Sequence, residues 1–360
     1  AMHKFGMLAG SAFAWVDHKA SGAVWAREKA KGALPPEAAF FLDRFPASAV
    51  WYGRRGGGLR ILADPAGAAA LAQIFAPADP PPDLAALVSP RSAVQRFALN
   101  LPSLFEGVAA LVPPSQGQAK GQILLAKNMI PIATGVAWED LAGGLTGHGA
   151  GIVEIPPSLP AANPNPDAVL VVLGVKDAAK AQRALDGATR KLLAANPNLA
   201  GPKVTVAGRE VQSYSPLKVV AIIEGDQLLV GTQPAVARAL AARHAPPAGV
   251  REALAQPAFL AFAVPMDPMM DAIQLPPDVK FDKATAKVFW DRILADGYLV
   301  GGLRVDDRGL TSTSGGGAVM LTGMMAAIAI PAFVRFIKRS KTAAARVQVG
   351  SLMQAAEMYK

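Results

Sequence analysis

The fold is decided by residues 169–193, which read VLVVLGVKDAAKAQRALDGATRKLL. The run 169–175 has the uninterrupted apolar character of a buried strand. Asp177 follows as a helix N-cap, because its carboxylate can accept a hydrogen bond from a free backbone N–H of the first helical turn. The next apolar side chains recur every three or four residues, as on one face of a helix: Ala181, Ala184, Leu185, Ala188 and Leu192.

Downstream of this helix, short apolar runs alternate with turn residues. They predict strands at 204–206, 210–214, 219–223 and 228–230, then a helix from Thr232 to Arg243. A strand, a helix, several antiparallel strands and another helix form an α+β pattern, in contrast to the strict alternation of a doubly wound sheet.

The flanking sequence extends the same pattern in both directions. Upstream, two apolar runs around Gly56-Gly57-Gly58 predict a hairpin, followed by a helix over 65–75. Downstream, a strand at 259–264 precedes helices and a hairpin over 298–314, whose predicted turn is Asp306-Asp307-Arg308-Gly309. We therefore predict an α+β fold with two related halves of antiparallel sheet plus helices, followed by a long C-terminal hydrophobic helix. The predicted domain ranges are 1–31 for an N-terminal segment, 32–314 for the body with halves 32–165 and 166–314, 315–317 for a glycine linker, and 318–360 for the C-terminal helix.

Several motifs of the body resemble a bacterial family of extracytoplasmic domains of unknown function. They are Pro46 to Val50, Val175-Lys176-Asp177, the 204–214 hairpin, and the run Glu224 to Thr232, which reads EGDQLLVGT. The resemblance implies an α+β body outside the cytoplasm and brings no known activity.

Composition and charge exclude several classes of function. The chain has no cysteine, which excludes disulfides, thiolate metal sites and a cysteine nucleophile. Residues 335–360 carry six basic side chains against one acid, so +5 of the net charge of +9 lies in this segment. The remaining residues are nearly balanced and show no basic stripe of the kind that binds nucleic acid.

The segment Ala318 to Val334 contains no charged residue and is followed directly by a basic cluster. Its 17 residues are near the lower limit for a membrane-spanning helix, which makes the lipid bilayer the predicted partner. A buried core helix is the alternative interpretation on length alone. The flanking basic residues are Arg335, Lys338, Arg339 and Lys341.

The same segment resembles the N-terminal helix of type IV pilins and pseudopilins. The matching residues within 323–345 include Gly323, Ala326, Ala327, Ile328, Ala329, Ile330, Pro331 and Phe333. The resemblance implies insertion into the bacterial inner membrane and contact with pilin or pseudopilin subunits in a filament.

The chain departs from the pilin pattern in three respects. In register with Gly323, the family's processing glycine corresponds to Gly309, but a glycine–serine run follows it instead of a continuous apolar stretch. Ser314 stands where pilins carry a glutamate. The order is also inverted, because the body precedes the helix. The helix is therefore either a borrowed anchor or continues into a longer native chain, and processing at Gly309 is disfavoured.

The N-terminal range 1–31 and the membrane orientation allow two interpretations each. Phe5 to Ala14 has the shape of a short signal peptide, but an amphipathic helix continuing through Val16 and Val24 fits as well. The positive-inside rule places the basic cluster in the cytoplasm and the body outside, whereas a pilin-like orientation requires the reverse. We favour the body outside.

The sequence shows no pattern typical of a catalytic or metal site. The four histidines are scattered, and His148, within a glycine-rich run, is predicted to lie in a turn. No cofactor is expected. The sequence thus predicts a non-enzymatic envelope protein with a pilin-like transmembrane helix, as an atypical component of a type IV pilus or type II secretion system. The alternative is a membrane-anchored extracytoplasmic binding protein that never enters a filament.

Overall fold

A computed structural model describes residues 12–21, 36–53, 56–75, 84–156, 169–214, 218–241, 245–255, 257–272, 294 and 297–313. The chain divides into two compact units, Ala1–Ala318 and Val319–Lys360, and all of the described residues belong to the first. The described part combines helices with antiparallel sheet, so the predicted α+β class is confirmed. The predicted C-terminal helix lies outside the described residues.

One antiparallel sheet contains all thirteen described strands, in the order β1-β2-β3-β13-β12-β11-β4-β5-β6-β10-β9-β8-β7. The strands are β1 Ala12–Asp17, β2 Ala47–Gly53, β3 Gly56–Leu62, β4 Ser92–Ala98, β5 Leu145–Glu154, β6 Val169–Val175, β7 Ala200–Val206, β8 Arg209–Tyr214, β9 Val219–Glu224, β10 Gln227–Thr232, β11 Leu260–Pro265, β12 Tyr298–Asp306 and β13 Gly309–Thr313.

Besides the helical residues 18–21, nine α-helices are described around this sheet. They are α1 Pro36–Arg44, α2 Pro65–Ile74, α3 Leu104–Ala110, α4 Gly117–Thr134, α5 Trp138–Gly144, α6 Ala178–Ala195, α7 Gln233–Ala241, α8 Ala248–Ala255 and α9 Met266–Ala272. Short 3-10 helices occur at Leu84–Leu87, Leu101–Ser103, Pro114–Gln116 and Pro197–Leu199.

Both faces of the central strands are buried. Leu229 on β10 lies opposite Val172 on β6, and both belong to the main core beneath α7 and α8. The neighbouring residue Leu228 points to the other face, where it packs with Val175 and with Ala181 of α6. Burying each such leucine or valine contributes about 1.5–3 kcal/mol, so both faces of these strands stabilise the fold. This explains why the 169–175 run lacks the polar alternation of a half-exposed strand.

The two predicted halves share this sheet rather than forming separate sheets. Strands β11–β13 come from the range 166–314 but lie between β3 and β4, which come from the range 32–165. The predicted relatedness of the two halves remains a prediction.

The predicted hairpins and helices of the body are largely found where the pattern places them. The β2–β3 and β12–β13 hairpins, α2, α6 and the β7–β10 strands all form. Asp177 caps α6 as predicted, since its Oδ1 accepts a hydrogen bond from the Lys180 backbone N–H at 3.0 Å.

Two local predictions are wrong. The helical interpretation of 1–31 fails at Ala12–Asp17, which forms β1 on the edge of the sheet beside β2, whereas residues 18–21 are helical. Its aromatic and β-branched residues Phe13, Trp15 and Val16 favour a strand. His148 lies within β5 rather than in a turn. The register of β5 shifts between Leu145 and Gly149, which places the glycine-rich run in an irregular strand.

Candidate functional site

The predicted membrane residues lie outside the described part of the chain. These are Gly323, Ala326, Ala327, Ile328, Ala329, Ile330, Pro331 and Phe333, together with the basic residues Arg335, Lys338, Arg339 and Lys341. Gly309, the candidate processing site, is described. It is the buried first residue of β13, where it pairs with Leu62 of β3. Cleavage there would separate β13 from β12, which argues against processing of the folded body.

One feature suited to ligand binding is a cleft between the C-terminal half of α6 and the sheet. Its volume is about 670 Å³, within the range of natural small-molecule sites. We call it the α6 cleft. It is lined by Ala133, Thr134, Leu185, Ala188, Thr189, Lys191, Leu192, Ala195, Leu199, Tyr214, Val219, Ala221 and Val230.

The cleft arises because only the first half of α6 packs closely. Ala181, Ala184 and Gly187 are buried, whereas Leu192 and Ala195 in the second half are exposed. At Gly187 the helix meets the end of α4, where Gly135 has a φ of +75°. A Cβ added to Gly135 would lie 2.6 Å from the Gly187 carbonyl oxygen. This backbone contact fixes α6 where the cleft begins.

The walls of the α6 cleft are mostly apolar, with one internal polar pair. The Thr189 and Tyr214 hydroxyl groups are 2.9 Å apart and share one hydrogen bond, in which either can be the donor. Lys191, an exposed residue, supplies the single charged side chain among the described lining residues. The described lining contains no carboxylate or imidazole for general acid–base chemistry. The mostly apolar walls are suited to binding an apolar molecule.

Within the described ranges, no group of three or more His, Asp or Glu side chains is arranged to hold a metal ion. In the same ranges, no helix is both long enough and apolar enough to cross a membrane.

Comparison with known proteins adds no assignment. The chain matches no protein-family model, no curated protein and no solved structure. Function is therefore inferred from the cleft and from the uncharged C-terminal segment.

Sequence patterns did not indicate the α6 cleft. Its lining residues come from α4, α6, a 3-10 helix and three strands, and they form no motif. The available signal was the apolar face of α6, which continues to Leu192 beyond the part of the helix that packs closely.

Proposed function

We propose that this chain is a membrane-anchored binding protein of the bacterial envelope, whose body holds an apolar ligand in the α6 cleft. The observation that carries this proposal is the cleft itself, with its volume of about 670 Å³ and mostly apolar walls. Exposed apolar walls of this extent favour an occupant that removes them from water. The cleft therefore supports the binding-protein alternative from the sequence, because a filament subunit does not require a ligand-binding site.

The anchor in this proposal is the segment Ala318 to Val334. It has no charge, and the basic cluster that begins at Arg335 would remain on the cytoplasmic side under the positive-inside rule. The body would then be outside the cytoplasm, in agreement with the family resemblance of its motifs.

Binding of the apolar fluorophore N-phenylnaphthylamine to the full chain tests the cleft. Ala188 lines the cleft and is half-buried, so Ala188→Phe should occupy it and reduce the fluorescence increase. Ala179→Phe, at an exposed position of the same helix, is the matched control. Ala195→Phe blocks the outer end at an exposed position and serves if Ala188→Phe unfolds. Equal fluorescence with wild type, Ala188→Phe and Ala195→Phe would exclude the α6 cleft as the site.

A second candidate function is that of a type IV pilus or type II secretion component. It is favoured by the pilin-like run Ala326 to Phe333. Filaments sheared from cells and probed for this chain distinguish the two functions. Recovery of the chain with the filaments would support the second function, and its retention in the membrane fraction would support the first.

A further inference from the structure

A row of polar side chains crosses three strands at a distance from the α6 cleft in the sheet order. Arg304 on β12 lies opposite Thr311 on β13, and Thr311 lies opposite Arg60 on β3. Directly opposed residues of antiparallel strands share a face, and Asp306, two residues after Arg304, lies on that face too. Arg60 is only 7% exposed. Its Nη2 is 2.6 Å from Asp306 Oδ2, which makes this a short ion pair.

Arg304 is left without a counter-ion in this row. Its Nε is buried and has no hydrogen-bond acceptor in the described part of the chain, where Arg304 forms no ion pair either. Asp306 is already neutralised by Arg60. The row therefore holds two guanidinium groups and one carboxylate, a surplus of one positive charge. Burying a guanidinium nitrogen without an acceptor is unfavourable, so an anion beside Arg304 would be stabilised.

A cavity of about 450 Å³ adjoins this arginine, and we call it the Arg304 cavity. Helix α2 forms one wall through small side chains, among them Ala68, Ala69 and Ala72. Phe75 and Phe259 form an aromatic wall, with ring centroids 3.9 Å apart.

The aromatic wall is held in place by the backbone. Phe259 N donates to the Leu303 carbonyl at 2.9 Å, and the fully buried Arg96 donates from Nη2 to the Ala258 carbonyl at 2.8 Å. The cavity is therefore formed before any ligand enters, which reduces the entropy lost on binding.

The charges around the cavity select the ligand class. Asp306 is paired with Arg60, and the exposed Asp307 lies 4.0 Å from Arg308, so Arg304 is the lining charge that remains unpaired in the described part of the chain. Its single positive charge matches one negative charge, and the planar guanidinium fits a carboxylate through parallel hydrogen bonds. A phosphate monoester carries a second negative charge that Arg304 alone cannot balance, and the carboxylate of Asp307, which also lines the cavity, disfavours that added charge more than it disfavours a single one. The alanine and phenylalanine walls fit an apolar body. We propose that the Arg304 cavity binds a small monocarboxylate, with its carboxylate on Arg304 and its apolar body between α2 and the two phenylalanines.

Calorimetric titration of the full chain with hydrocinnamate tests this proposal. We expect a Kd on the order of 1 mM or lower, as is usual for a ligand of this size. Arg304→Met should weaken binding by about 10-fold or more, because it removes a charge-assisted hydrogen bond. Arg209→Met, which removes an exposed cation on β8 outside the cavity lining, should bind like wild type.

Three comparisons keep the proposal falsifiable. Hydrocinnamyl alcohol has the same body without the charge and should bind at least about 10-fold more weakly than hydrocinnamate. Phenyl phosphate should also bind more weakly. Without ligand, Arg304→Met should melt no lower than wild type, because it removes a half-buried cation whose buried Nε has no acceptor in the described part of the chain. Equal binding of acid and alcohol, tighter binding of phenyl phosphate, unchanged affinity in Arg304→Met, or no binding at about 10 mM hydrocinnamate would each overturn the proposal.

Discussion

The contact between Gly135 and Gly187 shows how a single residue shapes the α6 cleft. A Cβ on Gly187 would overlap the Gly135 carbonyl oxygen, which belongs to a backbone that cannot rotate away. We expect Gly187→Ala to lower the free energy of unfolding by about 1–3 kcal/mol through this overlap. Gly121→Ala, in α4 with open space around it, should raise the free energy of unfolding by about 0.5–1 kcal/mol. Urea unfolding of both variants measures the difference, and equal effects would contradict the close contact.

The N-cap of α6 gives a prediction about pH. The Lys180 backbone N–H, which donates to Asp177, holds the pKa of this carboxylate below its ordinary value of 3.8. A lowered folded-state pKa stabilises the fold above the unfolded-state pKa, and this stabilisation is lost as the pH falls through the folded-state pKa. Asp177→Ala should therefore lower Tm at neutral pH, with a gap to wild type that narrows below pH 3.8.

Thermal melts at several pH values test this prediction, with Asp186→Ala as the control for loss of an exposed carboxylate on the same helix. A gap for Asp177→Ala that does not change with pH would mean that the cap is not the ionised carboxylate.

The cap itself was predictable from sequence, since an N-cap acts on residues close in the chain. The glycine contact was not, because it joins two backbones far apart in sequence.

Among the secondary-structure elements, β4 and α4 show where sequence patterns fail. Strand β4 lies in the middle of the sheet, yet its segment Ser92–Ala98 carries a fully buried arginine, Arg96, on the side of Val94 and Ala98. The arginine interrupts the apolar alternation by which a strand is recognised. Helix α4 contains Pro131 and has no fully buried residue, so its apolar side chains do not mark a single buried face.

Truncating the side chains of Trp138 on α5 and Leu125 on α4 should have different effects on the free energy of unfolding. Trp138 on α5 is 5% exposed and packs edge-to-face on Phe105, with ring centroids 4.9 Å apart. Trp138→Ala should lower the free energy of unfolding by about 3–5 kcal/mol. Leu125 on α4 is 59% exposed, and Leu125→Ala should change the free energy of unfolding by no more than about 0.5 kcal/mol. A large loss for Leu125→Ala in urea unfolding would show that this side chain is covered in solution.

At the scale of the whole molecule, the proposed anchor predicts where the body lies. An N-terminally tagged chain in intact spheroplasts should be degraded by added protease, because the positive-inside rule places the body outside. A variant without residues 318–360 should lose membrane retention. Protection of the tagged body, together with retention that requires 318–360, would mean that the helix inserts as pilins insert theirs. A full chain that stays freely soluble would exclude the anchor.

The α+β class and most local elements could be predicted because strand and helix periodicity is a local signal. The sheet order could not, since the pairing of β13 with β3 joins residues from opposite ends of the body. The Arg304 cavity could not be predicted either, because its lining residues also come from distant parts of the chain. The predicted hairpin turn included Asp306, but Asp306 is the last residue of β12 and pairs with Arg60, and no pattern connects these two residues.

The position of β11–β13 between β3 and β4 also has a consequence for the time course of folding. When the chain emerges from the ribosome or a translocation channel, β3 and β4 appear long before the strands that separate them. Contacts between distant parts of a chain form slowly, because a long loop must close first. The edge of β3 that pairs with β13 therefore stays open until residue 313 has emerged, and the described sheet is completed only then.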